Sequence, residues 1–395
     1  MTRVPMSDAL RWFYARARQA DPHLGLLHSL KDPLRVVRYV RAAIRGIAKY
    51  GRQAEELWGV SPRRQLQMYL PLFHRFGHTI DEFYYYRLCT PEWRPHAAAF
   101  LPWRRMRALD RLYGSIGIDV GLLRDKARFA RHCAEVGLPA IPTILEFDRN
   151  GELSGESLRG SSLSERHIVV KPRLGMGGED VEAFDRVAGG YRDQAGRVVG
   201  TQELIATWEK QSRKSPLMVQ ARVRNAPELS VWSTGALCTV RLVTSRAGNG
   251  TPVPLLGLLR MPNADAVADN ILRGGILATI DLASGELGLA RTFEIPDALH
   301  RREFERHPTT GTQIAGRRLS CMNEIAELAV RAHQEFGAFH SIGWDVAITD
   351  KGLILIEGNH DWGVRIAQYP GPAPLGWTRL PEDVRQCFTS SHSVR

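Results

Sequence analysis

A chain of 395 residues with a formal net charge of +11 is long enough to bury a large core and to divide into two or three domains. Its five cysteines, Cys89, Cys133, Cys238, Cys321 and Cys387, are scattered and form no CxxC pair, which excludes a disulfide framework and a zinc site and implies a reducing compartment. No apolar run approaches the ~18 residues of a spanning helix, and the N-terminus has no leader-type apolar core, so a soluble, cytoplasmic protein is expected.

Residues 1–115 hold 20 Lys/Arg against 9 Asp/Glu, whereas residues 116–395 hold 33 of each. All the excess positive charge therefore lies in the first third, which reads as helical. Val36, Val37, Val40, Ile44 and Ile47 recur at helical spacing, and Arg35, Arg38, Arg41 and Arg45 form a basic stripe beside them. Such a stripe suits an anionic partner at the inner face of a membrane, either the bilayer itself or a lipid-linked glycan; the alternative is a solvated helix face. Nucleic acid is not expected, because no RRM, zinc-finger or helix-turn-helix pattern accompanies the charge. A second cluster, from Tyr69 and Phe73 to Phe83-Tyr84-Tyr85-Tyr86, is expected to pack a core.

The texture changes at Asp125, which can cap a helix running to Val136 and stopping at Gly137, with Pro139 beyond. Ile168 to Lys171 reads as a buried-type strand ended by Pro172, and a glycine-rich loop, Gly175-Met176-Gly177-Gly178, follows it. The Gly-rich, polar segment 189–200 reads as an exposed loop. Strands then recur over Leu217 to Val223, Thr239 to Thr244, Val253 to Met261 and Ile276 to Leu282, spaced closely enough for antiparallel hairpins. A helix is expected from Met322 to Phe336, and the tail from Thr389 to Arg395 reads as frayed.

The chemistry concentrates between Gly343 and Asn359, two apolar strands joined by a turn. Gly352 suits the left-handed position of a three-residue loop, Asp350-Lys351-Gly352. Counting outward then pairs Thr349 with Leu353, Ala347 with Leu355 and Asp345 with Glu357. Two facing carboxylates roughly 5 Å apart at Cβ repel unless something cationic sits between them. Asn359 keeps the face of Glu357. Asp345, Glu357 and Asn359 thus form a hard, all-oxygen set that suits Mg²⁺ or Mn²⁺. A solvated surface hairpin is the alternative, and it agrees poorly with such apolar flanks.

Upstream, Lys126 opens a helix, Lys171 precedes the glycine loop, and Arg241 lies on a strand. Asp269-Asn270 stand ahead of Gly274-Gly275, with Arg273 between. The glycine loop is neither a Walker A nor a G-x-G-x-x-G sequence, yet its backbone N–H groups can face phosphate oxygens. Arg241 reads either as a site cation or as an ordinary salt-bridge partner. The pairs Asp125-Lys126 and Lys171-Pro172, the loop Gly175-Met176-Gly177-Gly178, the strands Leu217-Met218-Val219-Gln220 and Thr239-Val240-Arg241, and the set Asp269-Asn270…Gly274-Gly275 come first. With Gly343-Trp344-Asp345-Val346 and Glu357-Gly358-Asn359-His360-Asp361-Trp362-Gly363, they resemble the ATP-grasp superfamily. Within it, the chain looks most like the sugar-transfer-associated group, which is similar to the ribosomal-protein glutamate ligases.

The resemblance implies an α+β fold in which two antiparallel lobes clamp ATP, preceded by a mainly helical region. Residues 1–115 would form that basic helical region, 116–220 the N-lobe, 221–375 the C-lobe with the metal hairpin, and 376–395 a tail. It also implies site roles. Lys126, Lys171 and the loop glycines Gly175, Gly177 and Gly178 would hold the ATP phosphates, and Gln220 would meet adenine. Asp345, Glu357 and Asn359 would hold Mg²⁺ or Mn²⁺, while Arg241, Arg273 and Asn270 would act on the transferring phosphoryl group. The implied activity is a ligase that makes an acyl-phosphate from a carboxylate and couples it to an amine or thiol, in surface-glycan synthesis. A sugar or lipid-linked glycan kinase on the same fold is one alternative, and a non-catalytic nucleotide-dependent adaptor at a membrane surface is another. Two departures stand out. Residues 1–115 show no βαβ pattern, so acceptor binding is not carried over from relatives that begin with a Rossmann-like domain. Gln220 also stands where several relatives use an acidic residue. His340 and His360 flank the hairpin as acid/base or packing residues.

Overall fold

The computed structural model describes residues 6–21, 33–114, 118–151, 153–154, 163, 165–175, 180–233, 235–246, 250–263, 274–300, 302–337, 339–369 and 373–392. Gly177, Gly178, Asn270 and Arg273 lie outside them, as does the side chain of Arg35. Two sheets carry the fold, and every strand pair in them is antiparallel, as the close strand spacing implies.

The first sheet has seven strands: β1 (Thr143–Phe147), β2 (Leu153–Ser154), β3 (His167–Pro172), β4 (Glu182–Val187), β5 (Gly190–Arg192), β6 (Val198–Val199) and β7 (Leu217–Ala221), in the order β2-β1-β7-β3-β4-β5-β6. One face packs on the helix Thr201–Ser212 through Leu145, Phe147, Ile168, Val170, Phe184, Leu217, Val219 and the buried Trp208. Burial along β3 alternates, so Ile168 and Val170 enter the core while Lys171 is left on the opposite face. The segment 189–200 departs from the expected loop. It forms β5 and β6 around a turn in which Asp193 accepts from the Arg197 backbone (2.8 Å), and Tyr191 anchors it in the core. Its polar composition reflects the turn, while one buried aromatic decides the pairing.

The second sheet has six strands: β8 (Thr239–Arg246), β9 (Pro252–Met261), β10 (Ile276–Ile280), β11 (Leu287–Thr292), β12 (Ser341–Thr349) and β13 (Gly352–Asn359), ordered β11-β10-β9-β8-β12-β13. Both of its faces are covered. Val240, Leu242, Leu259, Met261, Ile276 and Ala278 share a core with the helix Met322–Glu335. Val243, Leu258 and Leu277 belong instead to the core of the N-terminal helices. All nine residues of β12 are consequently buried.

The N-terminal third is helical, with helices Asp8–Ala20, Pro33–Trp58, Pro62–Phe76, Ile80–Tyr85 and Trp103–Gly114. Its aromatic cluster packs a core as expected: Phe83, Tyr84 and Tyr86 are buried, and Tyr85 stacks on Phe293 of the second-sheet unit at 4.6 Å between ring centroids. Gln368 ties the two regions further, accepting from the Leu101 backbone (2.8 Å) and donating to Tyr86 Oη (3.1 Å). Of the tail expected to be frayed, Thr389 to His392 continue the helix Leu380–His392, while residues 393–395 lie outside the described ones; just before Thr389, Phe388 packs on Trp12 at 5.6 Å. The cysteines form no disulfide. Among the described residues, no helix is long and apolar enough to cross a membrane.

Candidate active site

The hairpin β12–β13 places Asp345 opposite Glu357. It reaches that register by an unexpected route. The turn has two residues, Asp350 and Lys351, so Thr349 pairs with Gly352 and Ala347 with Ile354. That register is one residue off the expected one and would put Glu357 on the wrong face. A bulge between Asp345 and Val346 restores it: Val346 pairs with Leu355 and Asp345 with Glu357, so Ile356 is the extra residue. Gly352 has the expected positive φ, +102°. Asn359 lies on the same face, its Nδ2 donating to Glu357 Oε1 at 3.2 Å.

The cations that relieve the facing carboxylates are arginines. Arg241, on the neighbouring β8, directs Nε and Nη2 at the two oxygens of Asp345, the Nη2 bond being 2.9 Å, and its Nη1 donates to the Trp362 carbonyl at 2.9 Å. Arg260, on β9, adds a bond from Nη1 to Asp345 Oδ2 at 2.7 Å. Gly343 makes this approach possible, because a Cβ there would lie 2.4 Å from Trp362 Cβ and 3.1 Å from Arg241 Cδ. Burial disfavours the charge on Asp345, but the two guanidiniums outweigh it and hold the carboxyl well below its usual range. Glu357 moves the other way. Burial and the adjacent Asp345 charge raise it, although Lys126 and Arg241 oppose the shift, and it hydrogen-bonds Asp345. Two neighbouring carboxyls are thus shifted in opposite directions, Asp345 down and Glu357 up.

Arg260 was not singled out in the sequence. Its signal was present: it is the charged residue within the apolar run Leu255 to Met261, on a strand whose neighbours are covered on both faces. Arg241 fulfils its salt-bridge reading, and its three donor nitrogens are committed to Asp345 and Trp362.

The N-lobe brings the lysines to this hairpin. Asp125 caps the helix Lys126–Glu135 by accepting from Ala127 N (3.0 Å) and Arg128 N (3.3 Å), and Arg173 grips it at 3.2 and 2.6 Å. Lys126 donates its backbone N–H to the Arg173 carbonyl (3.1 Å) and its Nζ to the Gly175 carbonyl. Gly175 therefore offers Lys126 an acceptor in this structure. Burial, followed by repulsion from Lys126, lowers the Lys171 ammonium to about 8, against the attraction of Glu357. Gln220 is buried, and its Nε2 donates to the Ile141 carbonyl at 2.8 Å, so its side chain fixes the strand junction. The segment before β1 joins the hairpin where Leu355 N donates to Pro139 O (2.8 Å). The histidines flanking the hairpin divide: His340 bonds Asp110 at 2.8 Å and Ser341 at 2.9 Å, which makes it a packing residue, while burial lowers His360.

The donor set fits a divalent cation. Glu357 and Asn359 place hard oxygen-bearing groups side by side, Asp345 stands across the ladder, and two lysines nearby can share phosphate oxygens. Asp345 is engaged by Arg241 and Arg260, so its oxygens reach a cation only in company with, or in exchange for, a guanidinium.

Two antiparallel sheets, with the carboxylate-bearing hairpin in one and Lys171 on the other, form an ATP-grasp fold. The model of the sugar-transfer-associated ATP-grasp family matches residues 116–376, and the chain belongs to that family. No curated protein matches the sequence. Similar solved structures include the biotin carboxylase domain of 2-oxoglutarate carboxylase from Hydrogenobacter thermophilus, in complex with MgADP, ADP and bicarbonate, at TM-score 0.40 and 14% identity over 72% of this chain and 51% of that one. L-amino acid ligase from Bacillus licheniformis gives TM-score 0.38 and 12% identity over 68% and 48%. D-cycloserine synthetase gives TM-score 0.37 and 14% identity over 75% and 82%. The chain spans about half the length of the first two.

Proposed function

We propose that the protein is an ATP- and Mg²⁺-dependent ligase acting on a sugar-linked carboxylate or amine. The observation that carries this reading is the approach of Lys126 and Lys171 to the buried Glu357, which shares its hairpin face with Asn359 and stands opposite Asp345. Two like-charged ammonium groups, one lowered by burial, form a natural seat for the phosphates of ATP. Glu357, Asn359 and Asp345 would hold the divalent ion, which when bound neutralises charge on the β- and γ-phosphates. Gly177, Gly178, Asn270 and Arg273 complete the proposed site, and the Gln220 junction would border the adenine. A substrate carboxylate oxygen attacks the γ-phosphorus and ADP leaves. The amine then attacks the acyl carbon, phosphate departs, and the amine loses a proton. The protein's part is positioning and electrostatic stabilisation. Incubation with Mg²⁺, ATP, hydroxylamine and candidate sugar acids should yield ADP, free phosphate and an acyl-hydroxamate, all lost in Glu357→Gln. ADP formation with the phosphoryl group retained on a sugar hydroxyl would make the protein a kinase instead.

A further inference from the structure

The helix Pro33–Trp58 buries only part of the face that its apolar spacing marks out: Ile47 packs against the core of the N-terminal helices, whereas Val37, Val40 and Ile44 stay exposed. Its inward face combines small residues with Tyr39, Ile47 and Tyr50: Ala43, Gly51 and Ala54 are buried, and Gly46 sits so close to Ile80 that a Cβ would lie 2.6 Å from Ile80 Cγ1. Close approach of the backbone fixes the rotation of the helix, and it leaves Val37, Val40 and Ile44 outward. Val37 is 44% exposed, Val40 37% and Ile44 53%, within an exposed-hydrophobic set of few members among the described residues. At 3.6 residues per turn they occupy an arc of about 60° over two turns, roughly 10 Å long. Directly beside them, over a further arc of about 80°, stand the exposed cations Arg38, Arg41, Arg45, Lys49 and Arg52. The helix carries no acid before Glu55 and Glu56 at its far end.

We propose that this face docks the protein on an anionic phospholipid bilayer, with Val37, Val40 and Ile44 entering the headgroup–acyl boundary and the flanking arginines pairing with lipid phosphates. Charge complementarity names the partner, and the adjoining apolar arc separates it from nucleic acid, for which basic residues alone suffice. The inference is independent of the reaction proposed above, since the face belongs to the helical third, apart from the hairpin.

Flotation of the full chain with phosphatidylcholine vesicles, and with vesicles of equal parts phosphatidylcholine and phosphatidylglycerol, tests it. Binding is expected only to the anionic vesicles and should fall with salt. Arg38→Gln, Arg41→Gln and Arg45→Gln together should lower the partition coefficient by about a hundredfold, each arginine contributing about fivefold. Val37→Ser, Val40→Ser and Ile44→Ser together should also abolish flotation. Unchanged melting temperature and nucleotide response in both triple variants exclude misfolding, because all six side chains are exposed. Equal binding to both vesicle types, binding to neither, or retention on duplex DNA that survives the serine substitutions would overturn the proposal.

Discussion

The two lobes treat buried charge in opposite ways. In the C-lobe, Asp345 is neutralised within the sheet by Arg241 and Arg260, all three side chains nearly sequestered from solvent. By contrast, Lys126 and Lys171 repel one another, and among the described residues a carbonyl contact to Lys126 and the nearby Glu357 offset that repulsion. The sheets match this contrast. The C-lobe sheet is covered on both faces and pairs Asp345 within itself, whereas Lys171 lies on the face of the N-lobe sheet away from its helix, where an anion would offset its charge. Such a clamp would have one preformed jaw and one jaw that a nucleotide completes.

The largest expected effect comes from breaking the complete jaw. Asp345→Ala should destabilise the protein by about 3–5 kcal/mol, because it strands two buried guanidiniums without their carboxylate. Urea unfolding measures it. A loss below about 1 kcal/mol would mean that the triad lies open to solvent.

Acid should loosen the same platform. His333 Nε2–H donates to the Phe339 carbonyl (2.8 Å), so Nδ1 accepts from the Thr244 hydroxyl (2.7 Å), and Thr244 in turn accepts from Trp344 Nε1 (2.9 Å). Burial lowers His333 to about 3 and His78, in the adjoining helical region, to about 4. The unfolded chain protonates both near about 6.5, so it binds more protons than the folded state below that pH. Their contribution is present above about pH 6.5 and should be lost as pH falls toward 4, at up to about 1.4 kcal/mol per unit for each histidine. A pH series of urea midpoints that is flat across this window would contradict the burial of both rings.

The incomplete jaw should respond through ligand. Lys171→Ala is expected to weaken ATP by about 10- to 100-fold, the worth of a charged hydrogen bond, while leaving the ligand-free melting temperature equal or slightly higher. In the wild type, ATP affinity should also fall as pH rises through about 8, where Lys171 loses its charge. Calorimetric titration at two pH values checks both outcomes. The smallest effect should be that of Glu357→Gln on the ligand-free protein, a gain within about 1 kcal/mol, since it removes a buried acid beside a carboxylate.

Much of this was legible from residue types and spacing. Asp125 at a helix start and the alternation through Ile168 to Lys171 follow from local rules, whereas the facing of Asp345 and Glu357 was reached by a count whose loop length and missing bulge offset one another. What escaped needed tertiary information. The bulge at Ile356 depends on a sheet buried on both sides, and the glycine of a two-residue turn looks the same as that of a three-residue one. Arg260 gains its role only once β9 pairs with β8, across which its side chain reaches Asp345 on β12. The outward Val37, Val40 and Ile44 escaped for a different reason: hydrophobic spacing shows that a helix has a face, whereas the close fit of Gly46 on Ile80 decides which face turns inward.

The central claim, a nucleotide clamp completed by a divalent ion, is tested most directly by ATP titration of wild type, Lys171→Ala and Glu357→Gln with Mg²⁺ and with EDTA. The account expects Mg²⁺ to strengthen ATP binding in the wild type. Glu357→Gln should lose that strengthening yet still bind metal-free ATP, and Lys171→Ala should be weakened in both conditions. Wild-type affinities for both variants, with and without Mg²⁺, would contradict it.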